Sequence, residues 1–330
     1  MLGQYQLTTP LSNKDAGSCS WCFAVRDGRD YFIKEFMDPK YPEGDTASSP
    51  EKREKKRKKC LKFEEKKTRV YKAINDNSDG IAVRVTDFFR VGAKYYAVMP
   101  KIENVKMDTE EVARLPSRTT RSLCAMIAHA VAQLHKGGFI HADLKHTNVM
   151  LTHSSSGALT AKLIDYDAGY FEDDPPTHSE EIGGDQVYFA PEVYRAINGE
   201  SVALTRSLDI FSLGVLFHQY LTGTLPVFDM VKYSCVGEAV ACNETIVAAG
   251  LPRDLQSMIE KMLSPNPSER PTAQSVYETL IAPLRPHDTI VPVADTGYAA
   301  SGRTVNFNTG ISDFVGDAPA EGGWNSLGDL

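Results

Sequence analysis

Two short segments of the sequence bring acidic, basic and amide side chains close together. Asp143, Lys145 and Asn148 fall within six residues, and Asp165 stands at the end of the next apolar strand pattern. A carboxylate can accept the proton of an attacking hydroxyl, a lysine can neutralise a migrating phosphate, and amide and carboxylate oxygens can bind a divalent metal. The spacing therefore predicts phosphoryl transfer and not a helix end with incidental polar residues.

The first hundred residues, which would help to position these segments, read as antiparallel strands with one helix. A strong hairpin signal lies at residues 27–30, Asp-Gly-Arg-Asp. One long helix begins with a charged stretch at Glu51. Residues 81–98 predict two further strands, because apolar residues alternate from 82 to 85.

The rest of the chain reads as helical up to a polar tail. From Pro116 the apolar residues recur at helical spacing until Gly137 and Gly138 end the helix. Residues 208–221 are apolar on almost every side, which predicts a buried helix. Residues 283–330 are rich in Gly, Asn and Asp, and this composition predicts a flexible tail.

Composition and charge restrict the class of protein. The 330 residues are 42% hydrophobic and 24% charged, as expected for a soluble globular protein of one domain or of two lobes that share a cleft. The net charge of −7 argues against general nucleic-acid binding, since such surfaces are basic. No apolar stretch is long enough to span a bilayer, and the first residues lack a basic leader with an apolar core, so the expected location is cytoplasmic.

Several motifs together resemble the eukaryotic-like, or Hanks-type, serine/threonine protein kinases found in bacteria, over about residues 1–282. Residues 141–148, His-Ala-Asp-Leu-Lys-His-Thr-Asn, are similar to the catalytic loop of that family except at Ala142. Three further segments resemble scaffold motifs of the same family. They are residues 188–192 (Tyr-Phe-Ala-Pro-Glu), residues 209–214 (Asp-Ile-Phe-Ser-Leu-Gly) and residues 269–271 (Glu-Arg-Pro). The resemblance implies that Arg270 of the third segment pairs with Glu192 of the first.

The resemblance implies a role for each polar residue of the two segments. Asp143 would accept the proton of the substrate hydroxyl, and Lys145 would contact the γ-phosphate of ATP. Asn148 and Asp165 would bind Mg²⁺. Lys34, in a segment similar to a family strand, would hold the α- and β-phosphates.

The resemblance also implies an ATP site of less regular sequence. Gly17 is the one glycine that fits the phosphate-binding loop. Met99 takes the gatekeeper place, so that the Pro100 carbonyl and the Ile102 N–H would face adenine. Proline lacks an N–H, but Ile102 has both groups and keeps the arrangement competent.

The partner of Lys34 is ambiguous in the sequence. Glu64 and Glu65 are adjacent and about 100° apart around a helix. Glu64 shares a face with apolar neighbours and is the favoured partner. Lys67, however, is the residue that best matches the family spacing.

The fold implied by the resemblance is α+β and bilobal. A small antiparallel-sheet lobe with one helix would span residues 1–101, a mostly helical lobe residues 102–282, and the tail residues 283–330. The implied activity is ATP-dependent phosphorylation of protein serine and threonine hydroxyls, the chain itself included. The resemblance places the activation segment at residues 165–192. Because Ala142 replaces an arginine that in many kinases receives a phosphate on this segment, we expect activity without such phosphorylation.

Two other readings stay open. Small-molecule kinases of the aminoglycoside and choline type share similar segments, but Lys145, Asp209 and Arg270 favour a protein substrate. A pseudokinase scaffold would lack Lys34, Asp143, Asn148 or Asp165, and all four are present. Asp185 stands where the family usually has threonine, which leaves the choice among serine, threonine and tyrosine open.

Overall fold

In the computed structural model, residues 1–14, 17 and 19–284 are described. The described residues fold as two units: Met1–Glu64 with Thr86–Met99 form the first, and Glu65–Val85 with residues 100–284 form the second. The tail predicted for residues 283–330 lies, from residue 285, outside the described residues. The lobe boundaries drawn from the sequence stay a prediction.

The described residues contain nine β-strands, the longest of which are β2 and β3 with 8 residues each. In chain order they are β1 (Gln6–Leu7), β2 (Cys19–Arg26), β3 (Arg29–Phe36), β4 (Asp87–Val91), β5 (Lys94–Pro100), β6 (Phe139–Ile140), β7 (Val149–His153), β8 (Leu159–Leu163) and β9 (Tyr170–Phe171).

The described residues also contain eight α-helices. In chain order they are α1 (Pro50–Asn77), α2 (Thr109–Ala113), α3 (Ser117–Lys136), α4 (Pro191–Ile197), α5 (Ser207–Thr222), α6 (Val236–Ala241), α7 (Arg253–Met262) and α8 (Ala273–Ile281).

The first unit is built on a five-stranded sheet with the strand order β1-β2-β3-β5-β4. Strands β2 and β3 pair antiparallel up to Arg26 opposite Arg29, so Asp27 and Gly28 form a two-residue turn. Both turn residues have positive φ, +52° and +73°, as the favoured hairpin turn requires. The hairpin prediction is confirmed.

The two strands predicted within residues 81–98 are present as β4 and β5, but they begin only at Asp87. The stretch 81–85, which was expected to belong to them, is not a strand. Ala82 forms an isolated parallel bridge with Leu163, and the Val83 N–H donates to the Leu163 carbonyl at 2.9 Å. All four apolar residues of this stretch are buried. They are apolar because they lie against the end of β8 in the second unit, and not because they alternate across the five-stranded sheet.

The second unit is mostly helical, with two small antiparallel strand pairs. Helix α3 contacts α8, α5 and β8, while α5 contacts α2 and α7. Most residues of α5 are buried, as its sequence predicts. Strand β7 pairs with β8, and β6 with β9, and the loops at the ends of these strands carry the candidate catalytic residues. Among the described residues, every helix is too short or too polar to cross a membrane.

Candidate active site

The β7–β8 hairpin brings the two predicted metal ligands to one end of a strand pair. Asn148 directly precedes β7, and Asp165 follows β8 by two residues. Because Val149 pairs with Leu163, the flanking segments run side by side, and the Ile164 N–H donates to the Asn148 carbonyl at 3.0 Å. The local pairing of short strands is therefore what makes the two distant sequence motifs neighbours.

The predicted base, Asp143, lies between β6 and β7 and is held at one carboxylate oxygen. The Asn148 amide donates to the Asp143 carbonyl at 2.8 Å and to its Oδ2 at 2.9 Å, and Lys145 Nζ lies 3.0 Å from the same Oδ2. The other oxygen, Oδ1, is buried and has no hydrogen-bond partner within the described part of the chain. One oxygen is thus tied to a cation and an amide, and the other can accept a proton.

Asp209, buried on α5, fixes the backbone that leads into Asp143. Its carboxylate accepts the N–H groups of His141 and Ala142 at 2.8 and 2.9 Å, and His135 Nε2 lies 2.8 Å away. Ala142 has a φ of +61°, a left-handed backbone that costs an alanine roughly 1–2 kcal/mol. Burial raises the pKa of Asp209, but the hydrogen bond from His135, helped by the backbone hydrogen bond from His141, holds that pKa below its usual value.

His141 connects the catalytic loop to the segment around Asp165. Its Nε2 lies 3.2 Å from the Ile164 carbonyl, and its Nδ1 lies 3.3 Å from the Asp143 backbone nitrogen. Since a carbonyl only accepts and an N–H only donates, these partners assign the ring proton to Nε2. Sequence reasoning treated His141 as one letter of a motif and missed this bridging role.

The turn that carries Asp165 is held by backbone contacts on both sides. Asp165 has a φ of +60°, and the next residue, Tyr166, is buried with its hydroxyl donating to the Leu163 carbonyl at 2.7 Å. The Gly169 N–H donates to the Tyr166 carbonyl at 3.2 Å. A Cβ at Gly169 would overlap the ring of Phe139, so this position needs glycine.

Two residues of the segment before α4 also border the catalytic loop. Gly184 has a φ of +117°, and a Cβ there would lie 2.8 Å from the Ala142 carbonyl oxygen and 3.7 Å from Asp143 Oδ1. Asp185 Oδ2 lies 3.9 Å from Lys145 Nζ. The unusual Asp185 was visible in the sequence, whereas Gly184 was missed because its neighbours are set only by the fold.

The residues predicted to bind ATP lie on strands β3 and β5 or a few residues outside β2 and β5. Lys34 lies on β3, and Gly17 precedes β2 with a φ of +56°. Met99 and Pro100 end β5, and Ile102 follows two residues later. The binding of ATP by these residues stays a prediction.

Burial distinguishes the two adjacent glutamates of α1. Glu64 is buried and accepts a hydrogen bond of 2.5 Å from the Tyr95 hydroxyl, whereas Glu65 is exposed. The fold thus supports the choice of Glu64 as the residue that faces the interior of its unit. Its pairing with Lys34 stays a prediction.

Two cations on the second half of α1 pair with the segment that follows β8. Lys67 Nζ lies 2.6 Å from Asp167 Oδ1, and Arg69 donates to both Asp173 oxygens at 2.8 and 2.7 Å. The members of these pairs are 100 and 104 residues apart in the sequence. Sequence reasoning therefore missed both pairs.

The sequence of this chain is similar to that of known protein kinases. Residues 49–280 match the family described as the protein kinase domain. The serine/threonine-protein kinase PkaA of Streptomyces coelicolor is 28% identical over 201 residues, which are 60% of this chain and 36% of that protein. The serine/threonine-protein kinase pkn2 of Myxococcus xanthus is 28% identical over 265 residues, which are 72% of this chain and 30% of that protein.

A third relative comes from an animal. The serine/threonine-protein kinase dkf-1 of Caenorhabditis briggsae is 31% identical over 157 residues, 46% of this chain and 19% of that protein. The chain thus spans 19–36% of the length of these three relatives. The family match itself covers well over half of the chain. With a catalytic loop and scaffold motifs that fold as described, the chain belongs to the protein kinase domain family.

Proposed function

We propose that this chain is an ATP-dependent protein serine/threonine kinase, which transfers the γ-phosphoryl group of ATP to hydroxyls of protein substrates, the chain itself included. Membership of the protein kinase family supports the use of ATP with a divalent metal. Its relatives are serine/threonine kinases. The observation that carries the proposal is the buried Asp143 Oδ1, which has no partner among the described residues. The large majority of buried polar side-chain atoms in proteins are hydrogen-bonded, so an unpartnered carboxylate oxygen beside a lysine points to a catalytic role.

Asp143 is the proposed base. Its Oδ1 can take the proton of a substrate hydroxyl while Oδ2 stays bound to the Asn148 amide and to Lys145. Lys145 places positive charge beside the point where negative charge develops on the transferred group. Gly184 leaves open the space beside Oδ1 that a side chain would fill.

Asn148 and Asp165 are the proposed ligands of Mg²⁺. The Asn148 amide nitrogen donates to two Asp143 oxygens, which leaves the amide oxygen for a metal. An amide oxygen and a carboxylate are the donors that Mg²⁺ prefers, so these residues fit the ion. Bound there, Mg²⁺ would offset the negative charge of the phosphates.

The proposed nucleotide contacts follow the family pattern. Lys34 would contact the α- and β-phosphates with Glu64 as its partner, and Gly17 would lie in the phosphate loop. With Met99 as gatekeeper, the Pro100 carbonyl and the Ile102 N–H would bind adenine. Residues 1–101 and 102–282 would form the two lobes of the kinase.

We further propose that activity does not require a phosphate on the activation segment. The small cavity beside Ala142 is lined by Ala168, Tyr170, Ile182 and the acidic Glu181, and within the described chain its lining includes no lysine or arginine. A phosphate in this cavity would meet a carboxylate and not a cation. The negative charges of the phosphate and of Glu181 would repel each other.

Two arginines near the start of the activation segment are already paired with carboxylates. Arg206 donates to both carboxylate oxygens of Glu172, and this hydrogen bonding holds the pKa of Glu172 below its usual value. Arg69 binds Asp173 and stacks over the ring of Phe171, 3.7 Å from its centre. These carboxylates occupy arginines that could otherwise bind a phosphate.

The experiment that tests the proposal is a transfer assay with phosphosite mapping. The purified chain is incubated with Mg²⁺, γ-labelled ATP and a generic protein substrate, and the products are mapped by mass spectrometry. We expect label on serine and threonine. Label on tyrosine alone, on a small molecule alone, or on nothing would contradict the proposal.

A matched pair of carboxylate variants controls the assay. Asp143→Asn should remove transfer, whereas Asp174→Asn, at an exposed carboxylate of the activation segment, should not. Equal activity of the two variants would reject Asp143 as the base.

A further inference from the structure

Lys67 is a buried lysine with an acidic partner on a distant segment. Its side chain is 8% exposed, although its neighbours Glu65 and Lys66 on α1 are exposed. Its Nζ lies 2.6 Å from Asp167 Oδ1 and 5.9 Å from the centre of the Tyr71 ring. A buried ammonium is costly unless it is paired, so the fold keeps Lys67 in this place with a carboxylate beside it.

Asp167 connects this ion pair to the candidate metal site. It lies two residues after Asp165, and its backbone N–H donates to Asp165 Oδ1 in a long hydrogen bond of 3.4 Å. Tyr166, between the two, is fixed by its hydroxyl bond to the Leu163 carbonyl. The side chain of Asp167 therefore anchors to α1 the same turn whose backbone orients Asp165.

We propose that Lys67 is a positioning residue for the candidate metal site. By holding the Asp167 carboxylate, Lys67 keeps the turn at 165–167 in the conformation that presents Asp165 to a divalent cation. The inference rests on the proposed function in one respect, namely that Asp165 is a metal ligand. Lys67 itself touches neither metal nor substrate in this scheme.

The neighbouring pair on α1 provides an internal comparison. Arg69 and Asp173 also join α1 to the segment after β8, but their side chains are 48% and 69% exposed. Exposed pairs constrain structure weakly, because solvent screens them and both side chains stay mobile. The buried pair should therefore control the turn at 165–167, and the exposed pair should not.

The first test needs no ligand. Hydrogen exchange of the full chain is measured by mass spectrometry for Lys67→Met, with Arg69→Ala as the matched control and Lys67→Arg as the conservative variant. Lys67→Met should speed exchange of the amides at 164–169 by about tenfold or more, because the anchored turn opens more often. Arg69→Ala and Lys67→Arg should leave these amides within about twofold of the wild type.

The second test measures metal dependence. The Mg²⁺ concentration that half-saturates binding of a fluorescent ATP analogue should rise about tenfold or more in Lys67→Met, as for residues that orient a ligand from behind. Metal-free binding of the analogue should change little. If Lys67→Met only damaged the structure, binding of the analogue with and without Mg²⁺ would weaken in parallel, and this result would contradict the inference.

Stability is controlled with a double variant. If Lys67→Met does not fold, Lys67→Met combined with Asp167→Asn leaves no unpaired buried charge and tests the same turn. Unchanged exchange at 164–169, or the same change in Arg69→Ala, would overturn the inference. Absence of transfer by the wild type would overturn the proposed function, while the exchange comparison would still decide whether Lys67 anchors the turn.

Discussion

The guanidinium of Arg270 holds the carboxylate of Glu192 at two points in the interior of the second unit. Nη1 and Nη2 donate to the two carboxylate oxygens at 2.6 and 2.8 Å, and the side chains are 0% and 6% exposed. Arg270 also donates to the carbonyls of Ser264 and Ser207. The sequence predicted this pair, and the structure confirms it.

Breaking this pair should destabilise the fold. Arg270→Ala leaves a buried carboxylate unpaired, so the free energy of unfolding should fall by about 3–5 kcal/mol. Lys72→Ala removes the exposed pair between Lys72 and Asp76 on α1 and should cost no more than about 1 kcal/mol. Urea unfolding followed by circular dichroism measures both. Equal losses would show that burial does not decide the strength of the Arg270 pair.

Asp143 and Asp165 should fail in different ways. Asp143→Asn, Asp165→Asn and Lys34→Met should each lower transfer by on the order of a hundredfold or more, since each removes a positioned charge. Asp143→Asn should keep Mg²⁺-dependent nucleotide binding, and Asp165→Asn should weaken it. Initial rates and nucleotide titrations separate the two. Loss of nucleotide binding in Asp143→Asn would contradict the assignment of roles.

We expect activity to need Gly184 for two reasons: its backbone conformation, and the space that its missing side chain leaves beside Asp143. Gly184→Ala adds a Cβ 2.8 Å from the Ala142 carbonyl at a φ of +117°, whereas Gly199→Ala adds one to open space at a φ of +90°. Both should lose about 1–3 kcal/mol of stability from backbone strain. Transfer should fall at least about tenfold only in Gly184→Ala, which crowds the carboxylate side of Asp143. Parallel loss of activity in both variants would mean that strain alone matters.

His146 should make stability depend on pH. Burial lowers its pKa from the ordinary 6.5, and weaker contributions from the Met107 carbonyl and Asp108 oppose this. Just below pH 6.5, His146 therefore binds a proton in the unfolded chain but not in the folded chain. This contribution to stability is present above pH 6.5 and is lost as the pH falls toward the folded pKa, by at most about 1.4 kcal/mol per pH unit.

The measurement for His146 is urea unfolding at pH 7.5 and about pH 5.5. His146→Gln should lose less stability than the wild type between these two values. His153→Gln, at an exposed histidine, should follow the wild type. A steeper fall in His146→Gln would show that the sign is wrong.

Activation-segment phosphorylation should be unnecessary. Thr177 and Ser179 are exposed, and the Thr177 N–H already donates to Glu181 at 2.9 Å. Phosphatase-treated enzyme and the double variant Thr177→Ala/Ser179→Ala should keep initial rates within about tenfold of untreated protein, a change of no more than roughly 1.4 kcal/mol in the barrier. A larger drop in both samples would contradict the prediction.

Much of the fold and of the candidate site could be predicted from local sequence patterns. The hairpin at 27–30 and the helix around 208–221 follow from turn chemistry and apolar spacing, which depend on near neighbours. The strand prediction failed at residues 81–85 because a short apolar alternation also occurs in irregular segments that are buried against other elements. Whether such residues lie in a sheet is decided by which distant strand passes beside them.

The sequence by itself determined the family and the candidate catalytic residues, because Asp143, Lys145 and Asn148 lie within six residues and share one loop. The tertiary structure alone decided that Lys67 faces Asp167, since their 100-residue separation is closed only by the fold. The charge and spacing of residues along a helix indicate which side chains are available for an ion pair. The partner of such a side chain is determined by its burial and by the geometry of the segment that packs against it. A buried ammonium is stable only where a carboxylate lies beside it.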